Sequence, residues 1–117
     1  MVKEPTVEAL LNRFREELQS ALYPFLVVSI IERNGSASRE EIRDEIAKLT
    51  DGTVAVAIPS HNRQVGRLSK TFRLIEPSGR ENNPSLVRYR LTKKGKRLYA
   101  ETLKRVVYPL GKILPIS

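Results

Sequence analysis

The chain has 117 residues, no cysteine, one histidine and a net charge of +8, so its length fits one domain with a single core. The lack of cysteine excludes disulfides and thiolate zinc sites, and a single histidine disfavours a metal site built from imidazoles. The longest apolar run, residues 24–31, is far short of the roughly 20 residues that cross a bilayer, and no signal peptide opens the chain, so we expect a cytoplasmic protein.

A first helix is predicted at residues 6–22, with the Thr6 hydroxyl suited to cap its N-terminus. Apolar side chains recur along one side of this helix. They are Val7, Leu10, Leu11, Phe14, Leu18, Ala21 and Leu22. The segment itself offers this stripe no partner, so we expect it to pack on the body of the domain or on a second subunit.

A second helix is expected to begin at Pro24, because proline disfavours helical geometry at the preceding Tyr23 and suits the first turn of a new helix. Its side chains up to Ile31 are apolar nearly all round, which is typical of a central buried helix. Gly35 is suited to end it, because glycine is the favoured residue just after a helix C-terminus.

A third helix is predicted to begin at Ser38, because Ser38 and Glu41 have the spacing of a capping box. The pair Asp51-Gly52 ends it. Residues 53–58 are rich in valine and alanine and are predicted to form a short strand that pairs with a later hairpin. An extended connection is the alternative for this segment.

A basic helix follows, with Ser60 as its expected cap. On a helical wheel Val65, Leu68 and Phe72 share one side, whereas three cations cluster opposite them: Arg63, Arg67 and Lys70. Asn62 and Gln64 lie on the flanks, and such amides pair bidentately with adenine. Gly66 costs about 1 kcal/mol relative to alanine inside a helix, and its missing side chain would permit close approach to a surface.

A hairpin is predicted after the basic helix, with strands at Phe72–Glu76 and Leu86–Leu91. In the second strand Val87, Tyr89 and Leu91 point one way, and Arg88 and Arg90 point the other. Residues 77–85 between the strands are dense in proline, glycine, serine and asparagine, as in a turn, with Arg80 at the tip. The hairpin therefore has a dry face and a basic face.

A last helix is expected from Thr92, its cap, to about Tyr108, and Pro109 is expected to end or bend it. Its apolar side exceeds what a small core needs to cover, as does the stripe of the first helix. We therefore expect residues 6–22, residues 95–110 or both to form a two-fold dimer interface.

The charges are unevenly distributed along the chain. Residues 1–59 hold 7 basic and 10 acidic residues, a net charge of −3, whereas residues 60–117 hold 14 basic and 3 acidic residues, a net charge of +11. A solubilising excess of charge would not need this segregation. Together with the helix–hairpin pattern, it indicates that the second half binds nucleic acid.

Four short motifs of this sequence occur in an order that resembles a known group of proteins. They are Ser-Arg-Glu-Glu-Ile at 38–42, Val-Gly-Arg-Leu at 65–68, Phe-Arg-Leu-Ile-Glu at 72–76 and Tyr-Arg-Leu-Thr-Lys-Lys-Gly at 89–95. Their order over about residues 24–95 resembles the winged helix-turn-helix superfamily, and the last motif resembles the wing-to-helix junction of PadR-like and MarR-like regulators. The composition suits a small archaeal member. The connection between Leu49 and Ser60 is longer than the tight turn usual in these families.

The resemblance implies DNA binding by a homodimer, often joined through terminal helices. On this resemblance, the recognition-helix positions are Asn62, Arg63, Gln64, Arg67 and Lys70, and the wing positions are Arg80, Arg88 and Arg90. Arg73, Lys93 and Lys94 are further candidates for phosphate contacts. His61, the single histidine, is expected to be a packed residue rather than a ligand or a general base.

These observations predict an α+β fold: a winged helix-turn-helix core with an extra N-terminal helix and a C-terminal helix, in a single domain over residues 1–117. We expect a sequence-specific protein that binds double-stranded DNA as a homodimer and regulates transcription. Two alternatives are an architectural chromatin protein with little sequence preference and a winged helix used as a protein-interaction module. No catalytic groups converge in the sequence, so neither an enzyme nor a cofactor is expected, and an effector molecule is left open.

Overall fold

The computed structural model describes residues 4–79, 83 and 86–115, and the predicted wing-tip residue Arg80 lies outside them. The elements in chain order are α1 (Val7–Asn34), β1 (Ala37–Ser38), α2 (Arg39–Leu49), α3 (Ile58–Gly66), β2 (Ile75–Pro77), β3 (Arg88–Leu91), α4 (Lys93–Thr102) and α5 (Tyr108–Leu110). A π-helical turn at Arg67–Thr71 extends α3, and another at Leu103–Val107 joins α4 to α5.

Helix α1 is a single helix of 28 residues with Pro24 inside it, so the predicted break at Tyr23 is wrong. Proline lacks an N–H and removes one hydrogen bond of the helix, at a cost of roughly 3 kcal/mol. Packing offsets this cost, because Tyr23 and Val27 are buried on either side of the proline. The predicted cap is confirmed: the Thr6 hydroxyl accepts a hydrogen bond from the Ala9 amide at 3.1 Å.

The sheet has three antiparallel strands in the order β1-β3-β2. Its first strand is Ala37–Ser38 and not residues 53–58 as predicted. Ser38 ends this strand and also caps α2, because its hydroxyl accepts a hydrogen bond from the Glu41 amide at 3.2 Å. Residues 53–57 form a connection without a strand instead: residues 53 and 54 bend away from the end of α2, and the Arg43 side chain donates to the Val56 carbonyl at 2.8 Å, which satisfies a backbone group that a strand would have paired.

Helix α3 begins at Ile58 with Ala57 as its cap, so the cap predicted at Ser60 is wrong. Pro59 lies in the first turn, where its missing N–H costs no helical hydrogen bond. The π-helical turn changes the helical period, and Phe72 is 43% exposed rather than buried with Val65. Strand β2 begins only at Ile75, because Arg73 has a positive φ of 53° that interrupts the extended chain.

The hairpin has the predicted dry face: Tyr89 and Leu91 are buried, and Val87 packs against the core. Helix α4 has the predicted cap, because the Thr92 hydroxyl accepts a hydrogen bond from the Gly95 amide at 3.0 Å. Its middle packs on α1, where the rings of Phe25 and Tyr99 stack with centroids 5.5 Å apart.

Two arms extend from this core: the N-terminal half of α1 and the segment after α4. The radius of gyration is 16.3 Å, against about 13 Å for a compact domain of this length. The accessible surface is 9076 Å², against about 6,450 Å² for a monomeric protein of this mass. Within the described ranges, no helix combines the length and the apolarity needed to cross a membrane.

The glycine at position 95 is expected to be required for stability. A Cβ added there would lie 2.0 Å from the Leu74 carbonyl oxygen, which already accepts a hydrogen bond from the Thr92 amide. Gly95→Ala should therefore lower the free energy of unfolding in urea by about 1–3 kcal/mol or more. Gly66→Ala is the matched control, because a Cβ added there would meet nothing within 4 Å outside its own helical turn, and it should raise stability by up to about 1 kcal/mol. Equal stability of Gly95→Ala and the unmodified protein would contradict this packing.

Candidate nucleic-acid interface

Helix α3 is anchored from inside by His61, which is 1% exposed. Its Nε2 lies 2.7 Å from the Arg39 carbonyl oxygen, and its Nδ1 lies 2.5 Å from the Tyr23 hydroxyl. A carbonyl oxygen only accepts, so Nε2 carries the proton and Nδ1 accepts from Tyr23. One imidazole thus joins α1, the first turn of α2 and α3, as expected for a packed histidine.

The environment of this contact keeps both of its side chains neutral. Burial lowers the pKa of His61, the hydrogen bond to the Arg39 carbonyl opposes that change, and the nearby charge of Arg43 adds to it. Burial also raises the pKa of Tyr23, so its hydroxyl keeps the proton that it donates. Among the residues that the structure describes, no three His, Cys, Asp or Glu side chains are placed to hold a metal ion.

The outward face of α3 and its π-helical extension is basic. His61, Val65 and Leu68 point into the core. The cations predicted for this helix are exposed on the other side: Arg63, Arg67 and Lys70. In the described part of the chain none of these three has an acidic partner; Arg63 donates to the Ser60 hydroxyl, and the Arg67 guanidinium lies 5.4 Å from the centre of the Phe72 ring. Asn62 and Gln64 are half-buried on the flanks.

The basic surface continues past the end of α3. Lys70, Arg73 and Thr92 line one groove between the π-helical turn and the base of the hairpin. Lys93 is exposed at the start of α4. The Lys94 ammonium donates to the Phe72 carbonyl at 3.0 Å, which ties α4 to the end of the basic helix.

The wing cations differ from those of α3. The structure describes Arg88 and Arg90, and each of them is paired with an acidic side chain. The Arg90 Nε lies 3.1 Å from a carboxylate oxygen of Glu76, the residue opposite it in the hairpin. Arg88 reaches across to Glu41 and Ser36. Neither ion pair was predicted from the sequence. The facing positions of the hairpin could have indicated the Arg90–Glu76 pair, whereas Arg88 and Glu41 are 47 positions apart in the sequence.

Comparison with known proteins identifies the fold. No protein-family model matches the chain, and no curated protein sequence matches it either. Among solved structures, it is similar to a cysteine-to-serine mutant of MarR from E. coli, with a TM-score of 0.61 and 18% identity over 95% of this chain and 83% of that chain. It is also similar to the oxidized form of MarR from E. coli, with a TM-score of 0.59 and 20% identity over 94% of this chain and 80% of that chain. The fold is therefore the MarR-like winged helix, as the sequence predicted.

The contact at His61 is expected to make stability depend on pH. The unfolded chain takes up a proton near pH 6.5, whereas the folded protein, with its lowered pKa, stays neutral. Stability should be complete above pH 6.5 and should fall as the pH decreases toward the folded-state pKa, by up to about 1.4 kcal/mol per pH unit. Urea denaturation between about pH 5 and pH 7.5 measures this slope. His61→Gln, which cannot titrate, should show a flatter dependence; equal slopes in the two proteins would contradict the assignment.

Proposed function

We propose that this protein binds double-stranded DNA in a sequence-specific manner as a homodimer and regulates transcription. The observation that carries the proposal is the row of exposed cations on α3, which have no acidic partner among the described residues and stand on a helix anchored in the core. Clustered positive charge that the protein leaves unneutralised is the electrostatic footprint of a polyanion site. The resemblance to MarR-like regulators supports the same conclusion.

In the proposed complex, α3 enters the major groove. Its N-terminal turns carry Asn62, Arg63 and Gln64, whose amide and guanidinium groups can form bidentate hydrogen bonds with base edges. Gly66 is half-buried on the flank of this helix, and no neighbouring side chain lies within 4 Å of a Cβ built there, so the backbone can approach the DNA closely.

The phosphate contacts are assigned to cations farther along the surface. Arg67, Lys70 and Arg73 follow the helix toward the base of the wing, and Lys93 stands at the start of α4. Contacts of this kind fix the register and the orientation of a protein on the duplex, but they carry no sequence information themselves.

The homodimer is proposed from the two exposed arms. Phe14 and Leu18 on α1 are 61% and 59% exposed, and Tyr108 and Ile113 after α4 are 66% and 82% exposed. The arms also carry opposite charge: residues 7–22 hold 2 basic and 3 acidic residues, whereas residues 103–115, after α4, hold 3 basic and no acidic residues. An acidic apolar arm and a basic apolar arm are complementary, and two-fold symmetry would pair them twice.

DNA binding is expected to be strongly dependent on salt. If about four cations per subunit contact phosphates, a dimer neutralises roughly eight, and the slope of log affinity against log salt should be about −5 to −9. Fluorescence anisotropy, with a duplex selected by the protein from a random library and with a random duplex of equal length, measures the slope. A slope near zero would overturn DNA binding and favour the protein-interaction module.

The same titrations test sequence specificity through Arg63→Ala. This change should cost about 1–3 kcal/mol on the selected duplex and much less on the random duplex, because a bidentate contact to a base is lost. Arg13→Ala is the control, because Arg13 lies on the N-terminal arm and pairs with Glu17. If Arg63→Ala weakens both duplexes equally, the helix only grips the backbone, and the architectural alternative is correct.

The dimer is expected to depend on the apolar stripe of α1. Phe14→Gln combined with Leu18→Gln should give folded monomers, because both side chains are already exposed in the single chain and their loss removes only contacts between subunits. Light scattering at micromolar concentration measures the mass, and circular dichroism checks the fold. Arg13→Gln combined with Glu17→Gln, on the polar side of the same helix, should leave the dimer intact. A monomeric unmodified protein would contradict the proposal.

A further inference from the structure

We propose that Arg88 is a positioning residue, which fixes the wing to the first turn of α2 and through that turn to α3, and that it is not a phosphate contact. The inference rests on the proposed DNA-binding function and assigns a different role to one of its cations. It is carried by the hydrogen bonds of the Arg88 guanidinium, all three of whose nitrogens are engaged within the chain.

These hydrogen bonds converge on one short segment. Arg88 Nε donates to the Ser36 hydroxyl at 3.0 Å, Nη2 donates to the Ser36 carbonyl at 2.8 Å, and Nη1 donates to a Glu41 carboxylate oxygen at 2.5 Å. In the sheet, the backbone of Arg88 lies opposite Ser38, the N-cap of α2. The side chain therefore spans the cap from the residue before the strand to the first turn of the helix. A guanidinium fork is suited to such a bridge, because its donors are rigidly spaced.

The same turn of α2 holds the recognition helix. The carbonyl of Arg39, the residue next to the cap, accepts the hydrogen bond from His61 on α3. The Arg39 guanidinium also lies 5.7 Å from the centre of the Tyr89 ring on β3, beside Arg88 in sequence. The wing strand and α3 thus contact one common turn, and its position sets the angle between them.

Arg90 is the natural comparison for Arg88. It is also on β3 and also pairs with an acid, but its partner Glu76 lies on the adjacent strand of the same hairpin. Breaking that pair leaves the attachment of the hairpin to α2 unchanged. An effect that is seen in Arg88→Ala but not in Arg90→Ala is therefore specific to the hydrogen bonds of Arg88 with Ser36 and Glu41.

Substitution of Glu41 separates positioning from phosphate contact by the sign of its effect. If Arg88 binds phosphate, Glu41→Ala frees the guanidinium and removes a negative charge, so DNA affinity should rise. If Arg88 positions the wing, Glu41→Ala removes the acceptor and affinity should fall. Glu40→Ala is the matched control, because it removes the same charge from the same helical turn, and the acid that Arg88 contacts is Glu41.

The experiment uses the full chain and the same selected and random duplexes. Three variants test the proposal: Arg88→Ala, Arg88→Lys and Glu41→Ala. Each should weaken DNA binding roughly 3- to 30-fold, because each disrupts the hydrogen bonds that hold Arg88 to the first turn of α2. The salt slope should not change, because no phosphate contact is lost. Arg88→Lys keeps the charge without the fork, so near-normal affinity of this variant would overturn the proposal. Tighter binding by Glu41→Ala, or a slope shallower by about one unit in Arg88→Ala, would also overturn it.

A measurement without DNA separates a failure of this proposal from a failure of the proposed function. Amide hydrogen exchange of β1 and β3 should be faster in Arg88→Ala and Glu41→Ala than in Arg90→Ala and Glu40→Ala. Equal exchange rates in all four variants would overturn the positioning role of Arg88, whatever the DNA result. If the unmodified protein binds neither duplex but the exchange difference is found, the proposed function fails while the structural role of Arg88 stands.

Discussion

The hydrogen-bonded contact of His61 with Tyr23 and the Arg39 carbonyl is the constraint on which the rest of the structure depends. Three helices meet at one buried ring, and both ring nitrogens are satisfied there. Removing either partner would leave a buried polar group unpaired, which costs about 1–3 kcal/mol, so the three helices are held in one arrangement. With His61, Val65 and Leu68 inside, the opposite side of α3 must lie outward. The exposure of its cations therefore follows from apolar packing and one hydrogen-bonded histidine, and not from the charges themselves.

Ion pairing then divides the basic half of the chain into two kinds of surface. On the wing, Arg88 and Arg90 lie beside Glu41 and Glu76, so their positive charge is largely compensated. Along α3 and its extension the described cations have no such acid. Opposite charges within a few ångströms cancel at longer range, and the positive potential is therefore concentrated at the face of α3 rather than spread over the whole hairpin. In the proposed complex, that face would attract DNA first.

Helix α1 serves both the core and the proposed dimer. Between Tyr23 and Ile31 one side of it is buried in the core, whereas its N-terminal half extends with apolar side chains exposed. Because the helix continues through Pro24, the arm and the core segment belong to one continuous helix. A break at the proline would have allowed the arm to swing. In the proposed homodimer, this continuous helix would link the dimer contact to the core, and so help to set the separation of the two α3 helices and the spacing of the two half-sites on DNA.

The sequence by itself determined the features that depend on residues close together in the chain. The caps at Thr6, Ser38 and Thr92, the alternation of β3 and the inward positions of Val65 and Leu68 were all predicted, because each depends on contacts within a few residues or on a single period. Only the tertiary structure decided the rest. Burial around Pro24 outweighed one lost hydrogen bond, and β3 paired with Ala37–Ser38 rather than residues 53–58. Arg88 was expected to stand on an open basic face, but its partners lie about fifty residues earlier, where no local pattern could indicate them.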